Sequence, residues 1–159
     1  MSLTIRRATA ADEGVLVEFN AALAWETEHK RLRPEVLTTG VRAVFADPAK
    51  GFYTVAEEGG AVVGQMMVTF EWSDWRNGWF WWVQSVYVRE DARRGGVFRA
   101  LYKEIERQAA ADPAVIGIRL YVESDNTRAQ ATYRSLGMAS TTYGVMEEYP
   151  LPGRESKLG

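Results

Sequence analysis

Two arginines and two glycines lie between a strand-like segment and a helix-like segment of this chain. The first four N–H groups of a helix have no intrahelical partner, and the helix dipole adds partial positive charge at that end. Glycines let a ligand approach these amides closely, and arginines add cationic side chains. The pattern therefore predicts a loop that binds a diphosphate, although the same residues also suit an ordinary strand-to-helix turn. This phosphate loop comprises Arg93, Arg94, Gly95, Gly96, Val97 and Phe98.

Side chains that could move a proton or attract a cationic substrate occur elsewhere in the chain. The acidic candidates for substrate binding are Glu26, Glu28, Glu71 and Asp74, and Gln84 is a further polar candidate. Gln84 and Ser85, which precede the phosphate loop, cannot accept a proton at neutral pH. Were the chain to need a general base, one of the acids could act through water, and a chemistry without a dedicated base is the alternative. Each acid also suits a solvated surface position.

Tryptophans are concentrated in the segment before the phosphate loop. Five of the six in the chain are Trp72, Trp75, Trp79, Trp81 and Trp82. Strand alternation sends Trp79 and Trp81 to one face and Trp82 to the other. Indole rings such as that of Trp75, beside acidic residues, suit the binding of a cationic amine. The same rings also suit a sheet core or the interface of a homodimer, and these alternatives stay open.

The composition excludes several classes of function. The chain has no cysteine and one histidine, so we expect neither disulfides nor a metal site. A net charge of −2 and the lack of a basic run argue against nucleic-acid and membrane partners. No apolar stretch is long enough for a bilayer span, and no signal peptide is recognisable, so we expect a cytoplasmic protein.

The elements around the phosphate loop follow from apolar spacing. Residues 83–88 alternate as a strand, with Val83, Ser85 and Tyr87 on one face. A helix follows, since its apolar residues recur every three or four positions, and residues 115–122 form the next strand. The order strand, helix, strand predicts a parallel pair with a right-handed crossover.

The preceding chain predicts two helices and an antiparallel sheet. An edge strand is expected over 3–8, a helix over 10–25 capped by Thr9 and Asp12, and a charged loop over 26–31. Pro34 opens a second helix that Asp47 and Pro48 close. Strands over 52–57 and 62–72 are joined by a hairpin at 58–61. The length of 159 residues predicts one domain over 1–159, with 150–159 as a loose tail.

A second polar segment begins at Asn126. Ser124 or Asp125 could cap a short helix, in which Ala129 and Tyr133 share a face and which Gly137 ends. On its own this segment predicts an amphipathic helix with Tyr133 as a packing residue.

The phosphate loop and this second segment resemble two motifs of the GNAT superfamily of N-acetyltransferases. The first motif is Q/R-x-x-G-x-G/A, which Arg93 and Gly96 match and from which Phe98 departs. The second is N-x-x-A-x-x-x-Y-x-x-L-G-F, with Met138 in place of the final Phe. Its matching residues are Asn126, Ala129, Tyr133, Leu136 and Gly137. The resemblance extends from Leu3 to about Glu148.

This resemblance implies an α/β fold with a mixed, mostly antiparallel sheet that splays at a central parallel strand pair, and with helices on both faces. It implies that acetyl-CoA binds through the backbone of Val86 and Val88, the phosphate loop, Asn126 and Ala129. Tyr133 would give a proton to the departing thiolate. The acetyl group would pass directly, in a ternary complex, to a primary amine of a small molecule or peptide.

Two other functions stay open at this point. The lack of an acidic residue on the strand before the loop is compatible with a non-catalytic acyl-CoA-binding or regulatory module on the same fold. A nucleotide-binding protein is disfavoured, because the loop lacks the Lys-Ser/Thr pair that a P-loop uses for phosphate and Mg²⁺.

Overall fold

The computed structural model describes residues 2–158. In this range the chain forms the strands β1 (Leu3–Arg7), β2 (Phe52–Glu58), β3 (Ala61–Ser73), β4 (Gly78–Val88) and β5 (Val115–Leu120). It also forms the helices α1 (Glu13–Glu28), α2 (Pro34–Ala46), α3 (Val97–Ala111) and α4 (Thr127–Ser135). Among these helices, none combines the length and apolar character needed to cross a bilayer.

The strands form one sheet in the order β1-β2-β3-β4-β5. The first three pairs are antiparallel, and β4 pairs with β5 in parallel. The predicted mixed sheet, the hairpin between β2 and β3 and the parallel crossover are therefore confirmed. Within residues 2–158, β5 is the last strand in the order, so the parallel pair lies at an edge of the sheet rather than at its centre.

Helices pack on both faces of the sheet, as predicted. On one face, Leu16 of α1 and Val41 of α2 join Tyr53 and Val55 of β2 in a buried cluster. The opposite face receives α3. A Cβ added to Gly64 of β3 would lie 2.8 Å from Val97 Cγ1, so only glycine allows this close contact with α3.

The end of α1 differs from the prediction. The helix continues to Glu28 and ends where His29 adopts a left-handed conformation, with φ of 53°. Glu26 and Glu28 therefore lie in the last turn of α1 and not in a loop. The apolar repeat stops before the helix does, because an exposed last turn needs no apolar residues. The start of α1 differs as well: residues Ala10–Asp12 form a 3-10 turn with Thr9 as its N-cap, and α1 itself begins at Glu13 with Asp12 as its N-cap. The Thr9 N–H donates to Asp12 Oδ2 at 2.7 Å, which is the acidic half of the predicted cap.

A β-bulge interrupts β4. Gln65 pairs with Tyr87 and Met67 pairs with Gln84, so two residues of β4 stand opposite one residue of β3. Ser85, one of the two, has a φ of 49°. The extra residue reverses the alternation, and Val83 and Tyr87 lie on opposite faces. The prediction that they share a face was wrong, because period-two alternation holds only for a regular strand.

The chain divides into two compact units, one formed by residues 2–120 with 157–158 and the other by residues 121–156. The first unit contains the sheet and the helices α1, α2 and α3. The second contains α4, which begins after Asn126, because Asn126 Oδ1 accepts a hydrogen bond from the Ala129 N–H at 3.0 Å. Asn126 thus replaces Ser124 and Asp125 as the cap. Gly137, with φ of 97°, follows the helix as predicted.

Candidate active site

The carboxyl end of β4 extends beyond its partner strand. Pairing with β5 covers Trp79 to Val83, whereas β4 continues to Val88. The Arg89 N–H donates to Val63 O at 2.8 Å, so Arg89 faces β3. Because backbone groups alternate along a strand, the N–H and C=O of Val88 point to the other edge. The residues predicted to hold pantetheine, Val86 and Val88, therefore lie where the pairing of the two parallel strands has ended.

The phosphate loop follows β4 through a short 3-10 turn, Glu90–Ala92. Arg94 and Gly96 both adopt left-handed conformations, with φ of 68° and 79°. Gly96 is the N-cap of α3 and provides no side-chain hydrogen bond to the helix. Phe98 points its ring toward Tyr102, with centroids 6.3 Å apart. The loop thus presents the first amides of α3 without a capping side chain.

Arg93 takes part in a hydrogen-bond cluster that the sequence did not reveal. Its Nη2 donates to Glu26 Oε1 at 2.6 Å and its Nε donates to Val88 O at 2.8 Å. The Tyr87 hydroxyl donates to the other Glu26 oxygen at 2.7 Å. These two side-chain donors, Tyr87 first, lower the pKa of Glu26. The cluster ties the last turn of α1 to the end of β4.

Glu71 lies in a second cluster, on the face of the sheet that carries α1 and α2. Trp82 Nε1 donates to Glu71 Oε1 at 3.0 Å, and Arg119 Nη1 lies 2.8 Å from the same oxygen. The Arg119 guanidinium also lies 3.6 Å from the ring centroid of Phe80. The Trp82 and Arg119 contacts lower the pKa of Glu71. Arg119 was not among the predicted residues, although it is a cation within the apolar run of β5.

The remaining predicted substrate residues are dispersed. Glu28 Oε1 lies 3.3 Å from Lys30 Nζ. Asp74 is in the β3–β4 turn, where its Oδ1 accepts from the Trp75 N–H at 2.9 Å, and Trp75 is 86% exposed. Gln84 donates to Thr69 Oγ1 across the strand pair. The structure therefore does not bring the four acids together.

The tryptophans of β4 divide between the two faces of the sheet as predicted. Trp79 and Trp81 both contact Phe70, with ring centroids 6.5 and 6.1 Å apart. Trp82 lies on the opposite face and donates to Glu71. These three rings are consequently part of the sheet surface, whereas Trp75, in the β3–β4 turn, projects into solvent.

A cavity of about 310 Å³ lies in the first unit beside the bulge of β4. Its walls come from α1, α2, the segment between them, two strands and the end of the described chain. The lining residues are Asn20, Leu32, Arg33, Val36, Leu37, Gly40, Val41, Tyr53, Ser85, Lys157 and Leu158. Burial raises the pKa of Tyr53, whose phenol is hydrogen-bonded to Asn20. No single sequence motif identifies this cavity.

The second unit carries the predicted catalytic tyrosine. Tyr133 lies on α4, one turn after Ala129, and burial raises the pKa of its phenol. Asn126 and Ala129, predicted to contact the cofactor, are joined by the cap of this helix. In the described part of the chain, no group of three or more His, Cys, Asp or Glu residues could hold a metal ion.

The chain is similar to known proteins in both its sequence and its structure. A family model described as the acetyltransferase (GNAT) family matches residues 17–138. Mycothiol acetyltransferase from Mycolicibacterium gilvum (strain PYR-GCK) is 32% identical over 130 residues, which cover 79% of this chain and 41% of that relative. The present chain therefore spans less than half the length of this curated relative.

Two solved structures are similar over nearly the whole chain. A possible acetyltransferase from Clostridium difficile 630 has 44% identity and a TM-score of 0.88, covering 95% of this chain and 99% of that one. A transcriptional regulator from Bacillus halodurans C-125 has 22% identity and a TM-score of 0.79, covering 93% of this chain and 100% of that one. At this lower identity the likeness concerns the fold alone.

Proposed function

Because this chain belongs to the acetyltransferase (GNAT) family, we propose that it transfers an acetyl group from acetyl-CoA to a primary amine of a small molecule or peptide. The transfer is direct and takes place in a ternary complex. The observation that carries the proposal is the end of β4, where the strand continues beyond its last pair with β5, at Val83, and leads into a loop that presents helix amides without a capping side chain.

The residues at this end of β4 fit the two polar parts of acetyl-CoA. The backbone of Val86 offers a donor and an acceptor to the amides of pantetheine, and the Val88 carbonyl, which already accepts from Arg93 Nε, has a second lone pair for a pantetheine N–H. The loop amides of Gly95, Gly96 and Val97 suit the diphosphate, because they combine N–H donors with the positive end of α3. Arg94 adds a cation beside them. The guanidinium of Arg93 is already bonded to Glu26, so it contributes less to phosphate binding than the motif implies.

Acetyl-CoA supplies an activated thioester, and the chain supplies the fixed donors around it. We assign the Val88 N–H to the negative charge that develops on the carbonyl oxygen. The Tyr133 hydroxyl donates a hydrogen bond to the leaving sulfur. Burial raises the pKa of Tyr133 further above the ordinary value of about 8.5 for a thiol. The phenol therefore stabilises the thiolate by hydrogen bonding and keeps its own proton. The proton that the attacking nitrogen loses balances the thiolate, so that the products are the N-acetyl amide and free CoA thiol.

Of the groups that acetyl transfer could use, a general base is the one that the residues of this site supply least well. Gln84 and Ser85 occupy the β4 positions before the phosphate loop, and neither side chain can accept a proton at neutral pH. Glu26 and Glu71 both have lowered pKa values and charged partners, which makes them weak bases at neutral pH. We therefore propose that the amine reacts from its neutral form, which is already present in solution. Roles for Glu28, Asp74 and Trp75 in attracting the ammonium form stay predictions, as do a homodimer and a cytoplasmic location.

The test combines binding with turnover in two matched variants. Gly96→Asp and Gly96→Asn are nearly equal in size, and both residue types tolerate a left-handed backbone. Only the aspartate places negative charge where the diphosphate is proposed to bind. We expect Gly96→Asp to weaken acetyl-CoA binding at least about tenfold more than Gly96→Asn in calorimetry. Equal affinities would contradict the assignment of the phosphate loop.

Release of free CoA with a panel of amines tests the reaction itself. Thiol release that depends on both acetyl-CoA and an amine supports acetyl transfer. Tight acetyl-CoA binding with no release for any amine would instead support the non-catalytic acyl-CoA-binding module, which the missing strand carboxylate makes the second candidate.

A further inference from the structure

We propose that Glu26 is a positioning residue for acetyl-CoA binding, which holds the phosphate loop and the end of β4 in place through Arg93. The inference rests on the proposed acetyl transfer and specifies how its cofactor site is fixed. It differs from the sequence-based expectations, in which Glu26 attracts a cationic acceptor and Arg93 binds the diphosphate. In this inference Arg94 is the arginine of the loop that acts on the diphosphate.

The guanidinium of Arg93 is bonded to two different parts of the protein. Its Nη2 donates to Glu26 Oε1 at 2.6 Å, and its Nε donates to Val88 O at 2.8 Å. The second bond joins the phosphate loop to the end of β4, five residues earlier, and so closes the turn between them. A diphosphate could recruit this guanidinium only by replacing these two bonds, both of which have a charged donor.

Glu26 connects this turn to the helical layer of the fold. It lies in the last turn of α1, 67 positions before Arg93. Its Oε2 accepts from the Tyr87 hydroxyl at 2.7 Å, and the Tyr87 ring lies against Phe19 of α1, with centroids 5.1 Å apart. Tyr87 is buried, so the carboxylate is attached to a packed part of the protein. The position of the phosphate loop is therefore coupled to that of α1.

The composition of the phosphate loop explains why such an attachment matters. Gly95 and Gly96 have no side chain that could fix the loop, and glycine backbones have access to many conformations. Gly96 is held at a φ of 79° and caps α3 without a side-chain hydrogen bond. A site that is only part of the time in its binding conformation binds more weakly, in proportion to that fraction. The Glu26–Arg93 pair increases this fraction before acetyl-CoA binds.

Arg94 is the cation of the loop that is available to a ligand. In the part of the chain that the structure describes, its side chain is exposed and has neither a hydrogen-bond nor an ion-pair partner. It can therefore approach a diphosphate without breaking an existing bond, whereas Arg93 cannot. The two adjacent arginines thus have separate roles, of which only that of Arg94 is direct.

The effect of Glu26→Gln on acetyl-CoA affinity distinguishes the two roles of Arg93 by its sign. The variant removes the charge of Glu26 and keeps its size. If Glu26 positions the loop, calorimetry should show acetyl-CoA binding about three- to tenfold more weakly. If Arg93 is instead a ligand of the diphosphate, binding should become tighter, because Arg93 no longer has a competing carboxylate. Unchanged or tighter binding would overturn the inference.

Glu18→Gln is the matched control, because Glu18 is an exposed glutamate of the same helix and is not bonded to Arg93. It removes the same charge and so measures the change in long-range repulsion of an anionic cofactor. Its affinity should stay within about twofold of that of the wild type.

A double-mutant cycle tests whether Glu26 acts through Arg93. Arg93→Gln should weaken acetyl-CoA binding to about the extent of Glu26→Gln, and the double variant should be no weaker than either, since all three break the same pair. Additive losses would overturn the inference. Urea unfolding of each variant shows whether the loss of affinity is separate from a loss of stability.

Hydrogen exchange of the protein without acetyl-CoA separates this inference from the proposed function. The amides of Ala92 and Ala100 flank the phosphate loop and are hydrogen-bonded to Arg89 O and Gly96 O. They should exchange at least about threefold faster in Glu26→Gln and in Arg93→Gln, because local opening is more frequent. Glu18→Gln should leave their exchange unchanged.

Arg94→Gln completes the comparison, since it should weaken acetyl-CoA binding without changing the exchange of these amides. If the wild type binds no acetyl-CoA, the proposed function fails, and faster exchange in Glu26→Gln still supports the positioning of the loop by Glu26. Unchanged exchange in Glu26→Gln would overturn that positioning, even where acetyl transfer is observed.

Discussion

Arg93 matches a ligand-binding motif, but its side chain makes hydrogen bonds within the protein. Its guanidinium bonds to Glu26 and to the Val88 carbonyl, and it lies 5.4 Å from the ring centroid of Tyr87. A phosphate that recruits this guanidinium must compete with the Glu26 carboxylate. The backbone amides of the loop have no such competitor in their own side chains, since Gly95 and Gly96 have none. Phosphate binding by this loop therefore depends chiefly on the backbone.

The role of Tyr133 is tested by removing only its hydroxyl. Tyr133→Phe retains the ring and its packing but takes away the hydrogen bond to the leaving sulfur. We expect kcat to fall by roughly ten- to a thousandfold, with little change in the KM for acetyl-CoA. Steady-state kinetics of CoA release measures both constants.

Tyr143→Phe provides the control for this prediction, because Tyr143 belongs to the same unit and is 67% exposed. It should leave kcat unchanged. Normal turnover in Tyr133→Phe would make Tyr133 a packing residue, and a loss confined to KM would indicate a role in binding alone.

At the scale of the elements, the bulge of β4 joins the proposed cofactor strand to the cavity. Gln65 of β3 is fully buried, and its Nε2 donates to Ser85 O at 2.9 Å. This bond fixes the carbonyl of a residue that is held in a left-handed conformation. Gln65 is therefore a positioning residue for the backbone that leads to Val86 and Val88.

We predict that Gln65→Leu separates activity from stability. The variant loses one hydrogen bond, but it also removes Gln65 Oε1, a buried atom with no partner in the described structure. The two effects offset each other, so the free energy of unfolding should change by less than about 1 kcal/mol. Because the bulge is no longer held, kcat/KM should fall about tenfold. Urea unfolding and steady-state kinetics measure the two quantities.

Thr54→Val is the matched control for the bulge. Thr54 is also fully buried on a neighbouring strand and its Oγ1 has no partner in the described residues, yet it makes no bond to Ser85. It should leave both stability and kcat/KM nearly unchanged. A large loss of stability in Gln65→Leu, in proportion to its loss of activity, would assign Gln65 a purely structural role.

Elements whose signals are local were predictable from the sequence. Pro34 fixes the first turn of α2, and the apolar repeat of α3 identifies its buried face. The bulge was not predictable, because nothing in the residue types of β4 distinguishes a regular strand from one with an extra residue at Ser85. The cap of α4 was misplaced by one or two residues, since Ser, Asp and Asn occupy three consecutive positions and all three types can cap.

At the scale of the whole molecule, the predictable part of the site is the part that is continuous in sequence. The phosphate loop is one such segment. The pairs Glu26–Arg93 and Glu71–Arg119 join residues 67 and 48 positions apart, and they form only when the sheet and helices assemble. The cavity depends on the same assembly, because its lining comes from segments as distant as α1 and Lys157. Contacts between residues so far apart give no recognisable pattern among residues that are adjacent in the sequence.

The pH dependence of the reaction tests the proposal that no group of the protein acts as a base. An alkyl ammonium has a pKa near 10.4, so about one molecule in 2,500 is neutral at pH 7. The strand positions are Gln84 and Ser85, and the lowered pKa values of Glu26 and Glu71 keep these acids ionised throughout the neutral range. We therefore expect kcat/KM for an alkylamine to rise about tenfold per pH unit from pH 6 to 8 and to keep rising at pH 9.

A peptide α-amine gives this prediction its sharpest test, because its pKa is near 8. If the neutral amine alone limits the reaction, kcat/KM for the peptide should level off near pH 8, while that of the alkylamine continues to climb. The inflection then moves with the acceptor, and both profiles coincide when they are plotted against the concentration of neutral amine. A base on the protein would instead give both acceptors the same inflection, at the pKa of that base. Such a shared inflection, or flat profiles from pH 6 to 9, would contradict the reaction of a free neutral amine.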